Sequence, residues 1–204
     1  MISKAPYLVR KYYRHLLWKM PNENKEIYLT FDDGPTPGVT GKILELLENH
    51  NAKATFFCIG KNVMEHPGIY KSILFKGHAT GNHTHNHLNG WNVEDALYFH
   101  NIFEASRYID SRIFRPPYGK ITSFHAKQVI ERMNYKIIMW SVLSGDFDKK
   151  LSAEDCYKKT VNASAPGSII VFHDSEKAFP TLKQVLPKTL QYLSDKGYSF
   201  EKIQ

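Results

Sequence analysis

From Glu26 onward the sequence alternates β-branched and aromatic runs with amphipathic ones, and this rhythm limits the fold more than any other feature. Strands are predicted at Glu26–Asp32, Lys53–Ile59, His78–Asn82, Arg112–Arg115, Lys136–Val142, Ser168–Phe172 and Tyr198–Ile203. Helices are predicted between them at Thr40–His50, Asn62–Phe75 (interrupted near Pro67-Gly68), Val93–Asp110, Ser123–Met133, Ser152–Ala163 and Thr181–Leu193. Ser152 and Asp155 look like a capping box. Strand-helix alternation of this kind builds a parallel sheet, and the strand count fits an α/β fold of the incomplete TIM-like (β/α)7 barrel type. No strand is followed by a GxGxxG or GxxxxGK[ST] loop, which argues against a nucleotide-binding sheet.

With 204 residues and no internal repeat or linker, residues 26–204 read as one domain. Residues 1–25 are basic and aromatic and read as an N-terminal helical extension that packs Leu16, Leu17, Trp18 and Met20 on the barrel. The net charge of +7 is spread over surface lysines without a compact basic run, so no nucleic-acid partner is expected, and a monomer is. Cys58 and Cys156, far apart and on different kinds of element, read as reduced structural thiols. The N-terminus lacks the apolar core of a signal peptide and no run is long enough to span a membrane. As it stands the sequence reads as cytoplasmic, or as cell-envelope if a leader has been removed.

The chemistry collects where strands end. The first runs into Asp32-Asp33-Gly34-Pro35, two like charges at a turn. Adjacent carboxylates repel, so the pair is either solvated or faces something positive. The third strand leads into His83-Thr84-His85-Asn86-His87. The i, i+4 spacing puts His83 and His87 on one side of a helical turn and His85 on the other. With one carboxylate they make a three-ligand site for a catalytic divalent metal, although His-rich loops also occur without one. The fourth strand ends at Arg115-Pro116-Pro117-Tyr118, either an ion pair capping the strand or a rigid groove wall offering backbone N–H groups to an oxyanion. The fifth and sixth lead to Asp146-Phe147-Asp148 and His173-Asp174. Asp146 and His173 suit either an ordinary buried pair or an acid oriented by a carboxylate.

Together these motifs resemble the polysaccharide deacetylase family, the NodB-homology domain of carbohydrate esterase family 4, in family order over residues 26–203. They are TFDDG at Thr30–Gly34, H-[ST]-x-x-H at His83–His87 and R-x-P-Y at Arg115–Tyr118. The resemblance implies a distorted barrel and one divalent metal, usually Zn2+ with Co2+, Ni2+ or Mn2+ as substitutes, held by Asp33, His83 and His87. By the same resemblance Asp32 is the general base, paired with Arg115, and His173 the general acid, oriented by Asp146. Pro117, Tyr118, Phe147 and Val171 would meet the substrate, an acetylated glycan such as peptidoglycan or a chitin-like oligosaccharide, with the Tyr118 N–H facing the oxyanion. The family's D-x-x-D-W segment reads Leu143-Ser144-Gly145-Asp146-Phe147, and its L-x-H segment Val171-Phe172-His173. These departures touch the acyl pocket and spare the proton-transfer residues.

The alternatives are an O-acetyl esterase on acetylated xylan, an amidase on a cyclic amide, a catalytically weak carbohydrate-binding relative, and a non-haem iron oxygenase. The oxygenase fits poorly, since two-His-one-carboxylate oxygenases usually lie on all-β scaffolds.

Overall fold

The computed structural model describes residues 11–21 and 24–203. Its strands are β1 (Glu26–Asp32), β2 (Ala54–Cys58), β3 (Ala79–Asn82), β4 (Ile113–Phe114), β5 (Lys136–Ile137), β6 (Val142–Leu143), β7 (Ile169–His173) and β8 (Ser199–Phe200). Its helices are α1 (Thr40–Asn49), α2 (Gly60–Glu65), α3 (Pro67–Phe75), α4 (Asp95–Ser106), α5 (Ser123–Glu131), α6 (Ala153–Ala163) and α7 (Phe179–Asp195). The sheet runs β5-β4-β3-β2-β1-β7-β6, with β8 on β1, and every strand pairing is parallel. It curls into an incomplete (β/α)7 barrel with the helices outside.

Period-two alternation along β1 explains how the barrel is both packed and armed. Ile27, Leu29 and Phe31 are fully buried in the large core under the helices, where Phe31 stacks on Phe56 at 5.0 Å and on Phe172 at 5.9 Å. Tyr28 joins the core inside the barrel, with Phe57, Ile113, Ile138, Ile169 and Ile203. Thr30 and Asp32 share that inward face, since one arginine, Arg115, reaches both. Helix α1 meets the outer core through Ile43, Leu44 and Leu47. At α6, Ser152 caps the Asp155 N–H through its hydroxyl oxygen, and its O–H donates back to the Asp155 carboxylate.

Two expectations need correction. The strand predicted over Lys136–Val142 is split: β5 pairs with β4 and β6 with β7, so one segment touches both edges of the open sheet. Leaving one edge for the other frees the carbonyls of Ile138 and Met139 from the ladder, and the Arg115 side chain takes both. The segment Leu16–Met20, predicted helical, is extended instead and fills the gap. Leu17 donates to Ile137 O, Met139 donates to Leu17 O, and Met20 donates to Gly167 O. Leu17 thus bridges Ile138 in parallel and Lys19 bridges Ser168 antiparallel, while Leu16 and Trp18 are buried. A helix would satisfy its own backbone and leave this slot open, so the unpaired edges decide the conformation. The remainder of the 1–25 expectation falls partly on residues 1–10, outside the described ones. Cys58 and Cys156 are free, buried thiols. Among the described residues no helix is long and apolar enough to cross a membrane.

Candidate active site

Strand register sets the site. Asp32 pairs with His173 across β1 and β7, and Asn82 pairs with Phe114, which sets His83 level with Arg115 one residue further on. The C-terminal ends of five strands, β1, β3, β4, β6 and β7, open into one cleft of about 460 Å³, lined by Asp32, Asp33, His83, His87, Tyr118, Trp140, Leu143, Phe147, Val171 and His173 among others.

Asp32 is buried at the end of the inward face, and its Oδ1 accepts from Arg115 Nη1 at 2.7 Å. The guanidinium has no exposed surface. It gives three further donors to Thr30 Oγ1 (2.6 Å), Ile138 O (3.1 Å) and Met139 O (3.0 Å), and stacks over Phe57 at 4.0 Å. Burial pulls the Arg115 pKa down and the Asp32 charge opposes the fall. A guanidinium has enough reserve to stay charged there, and its fork aims the Asp32 carboxylate.

Asp33 leaves the strand with a left-handed φ of 87°, which swings its carboxylate away from that of Asp32. His87 Nε2 lies 3.2 Å and His83 Nε2 3.8 Å from Asp33 Oδ1. The three donor atoms fall within 4.8 Å of one another, a group that could hold a metal ion. The donor chemistry fits. His83 Nδ1 donates to Arg115 O at 2.7 Å, which leaves the Nε2 lone pair facing Asp33, and an imidazole-carboxylate set suits zinc-like cations. Burial pulls the His83 pKa down to about 4, so it is neutral and able to ligate. Burial raises the Asp33 pKa, but the close contact with His87 and then the influence of the His173 imidazole outweigh it and bring it to about 2.

The spacing of His83 and His87 suggests a helical turn; the structure holds them on an irregular loop. Thr84 (φ 61°) and His87 (φ 55°) are left-handed, and Asn101 Oδ1 takes the N–H groups of both His85 and Asn86. Non-glycine residues in this region are uncommon, and Asp33, His87 and Tyr118 (φ 60°) all occupy it at the cleft. His85 turns away against Tyr108, 5.8 Å between rings.

His173 Nδ1 donates to Asp146 Oδ1 at 2.8 Å, and the His173 backbone N–H donates to Asp146 Oδ2 at 2.8 Å. Burial lowers the imidazole pKa, but Asp146 and then Asp33 and Asp32 raise it further, to about 9. Phe147 meets the His173 ring edge-on at 4.8 Å. Of the expected substrate contacts, Tyr118, Phe147 and Val171 line the cleft; Pro117 does not, and its neighbour Pro116 lines the wall instead.

Sequence reasoning missed Trp140, which follows the strand split that hid its position. It also gave no role to Asp174. This fully buried carboxylate accepts from Gly34 N (2.9 Å) and Thr40 Oγ1 (2.7 Å), and its own N–H donates to Asp32 O (3.0 Å). Burial raises its pKa, the Thr40 hydroxyl lowers it, and Asp33 raises it again, to about 8. It clamps the turn that carries both aspartates, and its place beside His173 was the available signal.

The profile of the Polysaccharide deacetylase family matches residues 19–138. A peptidoglycan-N-acetylglucosamine deacetylase of Bacillus cereus is 33% identical over 192 residues, covering 91% of this chain and 90% of the relative. A chitooligosaccharide deacetylase of Azorhizobium caulinodans is 34% identical over 163 residues, covering 76% and 77%. The crystal structure of the Bc1960 peptidoglycan N-acetylglucosamine deacetylase, in complex with 4-naphthalen-1-yl-N-oxidanyl-benzamide, superposes with a TM-score of 0.88 at 33% identity, covering 98% of this chain and 95% of that one. With its motifs, its barrel and these matches, the chain belongs to the polysaccharide deacetylase family of hydrolases.

Proposed function

We propose that the protein hydrolyses the N-acetyl groups of N-acetylglucosamine units in a cell-wall or chitin-like glycan, releasing acetate. The observation that carries this reading is the convergence on one cleft of the Asp33, His83 and His87 donors, the Arg115-paired Asp32 and the Asp146-paired His173. Asp33, His83 and His87 would hold a divalent ion, which would supply Lewis acidity to the acyl carbonyl and to a water. Asp32, aimed by its pairing with Arg115, is the base that takes the proton of the attacking water. The Tyr118 N–H makes no hydrogen bond among the described residues and is available to a developing oxyanion. His173, protonated near neutrality and oriented by Asp146, gives its proton to the departing sugar amine. The apolar surfaces of Leu143, Phe147 and Val171 suit a small acyl methyl. The names of the relatives favour an N-acetylated glycan over acetylated xylan.

The test is acetate release from N-acetylglucosamine oligomers, peptidoglycan and acetylated xylan, with and without chelator and with metals added back singly. Release from the first two that stops with chelator is expected; chelator-insensitive release, or release from xylan alone, overturns the reading. Asp32→Asn is expected to bind the ion yet lose at least about 100-fold in turnover, the usual worth of a general base. His87→Ala is expected to lose the ion by elemental analysis.

A further inference from the structure

The two histidines of the candidate metal centre are held by different kinds of partner. His83 Nδ1 faces a backbone carbonyl, which accepts only, so its tautomer is settled by the fold. His87 Nδ1 faces the hydroxyl of Tyr118 at 3.1 Å, with the rings 4.6 Å apart and 60° to each other. Among the described residues no other group hydrogen-bonds to that nitrogen. A phenol can donate or accept. If it donates, the proton of neutral His87 moves to Nε2 and blocks the lone pair that faces Asp33. If it accepts, Nδ1 keeps the proton and Nε2 is free to ligate.

Resting on the metal reading above, we propose that the Tyr118 hydroxyl is the positioning group that holds His87 in its ligating tautomer and orientation. Tyr118 then performs two tasks with separable atoms, the backbone N–H toward the acyl oxygen and the hydroxyl toward a ligand. The turn fixes both: Tyr118 is held at φ 60° between the double proline and Gly119, whose Cα faces Trp140 so closely that an added Cβ would come 2.5 Å from the indole. The same outer-shell role is played elsewhere by carboxylates and carbonyls, and its loss costs about 10–100-fold in metal affinity. Because Tyr118 is 62% exposed, Tyr118→Phe removes the hydroxyl with little effect on the fold.

The experiment titrates ion-free wild type and Tyr118→Phe with Zn2+ against a chromophoric chelator, with Tyr118→Ala as a second variant. Unfolding midpoints of the ion-free forms and 15N shifts of the loaded His87 ring are measured alongside. The expected result is about 10-fold or more weaker binding in both variants, equal ion-free midpoints for wild type and Tyr118→Phe, and an Nδ1–H signature for His87 in wild type. Equal affinity in wild type and Tyr118→Phe overturns the proposal, as does an Nε2–H tautomer in the loaded wild type. A wild type that binds no ion overturns the metal reading itself, which separates the two failures.

Discussion

Asp32 and Asp33 are neighbours in sequence with opposite surroundings, and one backbone angle divides them. Asp32 stays on the strand and meets a buried guanidinium; Asp33 turns off at φ 87° toward two imidazoles. Gly34 and Asp174 hold that division, because a Cβ at Gly34 would fall 1.9 Å from Asp174 Oδ2. Gly34→Ala is therefore expected to displace the turn and weaken Zn2+ binding at least 10-fold in a chelator competition; unchanged affinity would show that the clamp does not position Asp33. Asp174→Asn keeps one acceptor for the Gly34 N–H and is expected to lose less. A second expectation concerns pH. The His173 pKa, raised from 6.5 to about 9, contributes stability that is fully present below pH 6.5 and lost as pH rises through 9. A bound cation cancels the share owed to Asp33, so the basic limb of kcat in the loaded enzyme is expected between 6.5 and 9, and Asp146→Asn is expected to move it down. These residues were legible in the sequence because each stands at a strand end beside a turn signal. Trp140 and the clamping role of Asp174 were not, since what they do depends on which strands adjoin, and a one-dimensional pattern does not record that.

At the scale of elements, the decisive piece is the segment from Lys136 to Leu143, which begins on one edge of the sheet and finishes on the other. Its apolar run gave the right element type but not its division, because the hydrophobic pattern is the same whether a strand has one partner or two in succession. Arg115 repairs the break. It accounts for the two freed carbonyls and for the Asp32 charge, so its removal is felt in the barrel and in the site together. Arg115→Met is expected to lower the unfolding free energy by about 3–5 kcal/mol, the range for breaking a buried ion pair from one side, measured in urea. Arg115→Lys is expected to recover only part of this, as an ammonium cannot reproduce the fork. The N-terminal segment was misread as a helix for a related reason: Leu16, Leu17 and Trp18 are as apolar as a helix stripe, and only the open slot makes extension the better solution. Trp18→Ala is expected to cost about 3–5 kcal/mol, comparable to loss of a core aromatic, in the same denaturant series.

On the scale of the whole molecule, the barrel and the site are one structure seen from two ends. Ion binding to the folded state alone raises apparent stability by about 2.7 kcal/mol at a free concentration 100 times the dissociation constant. Chelation is thus expected to lower the thermal midpoint of wild type and to leave that of His87→Ala where it was. The parallel barrel was legible from the alternation of elements, and so were the strand ends that carry the site. The way the barrel closes has a further result for how the molecule is made. The staple between Ile138 and Ser168 is Leu17–Lys19, which leaves the ribosome long before either partner. Until the residues from Tyr98 to Met139 have been synthesised, Leu16 and Trp18 have no core to enter, and until Ser168 follows, the latch cannot close on its second edge. Closure is then a late, long-range event, and the step at which this fold is most open to aggregation comes near the end of translation.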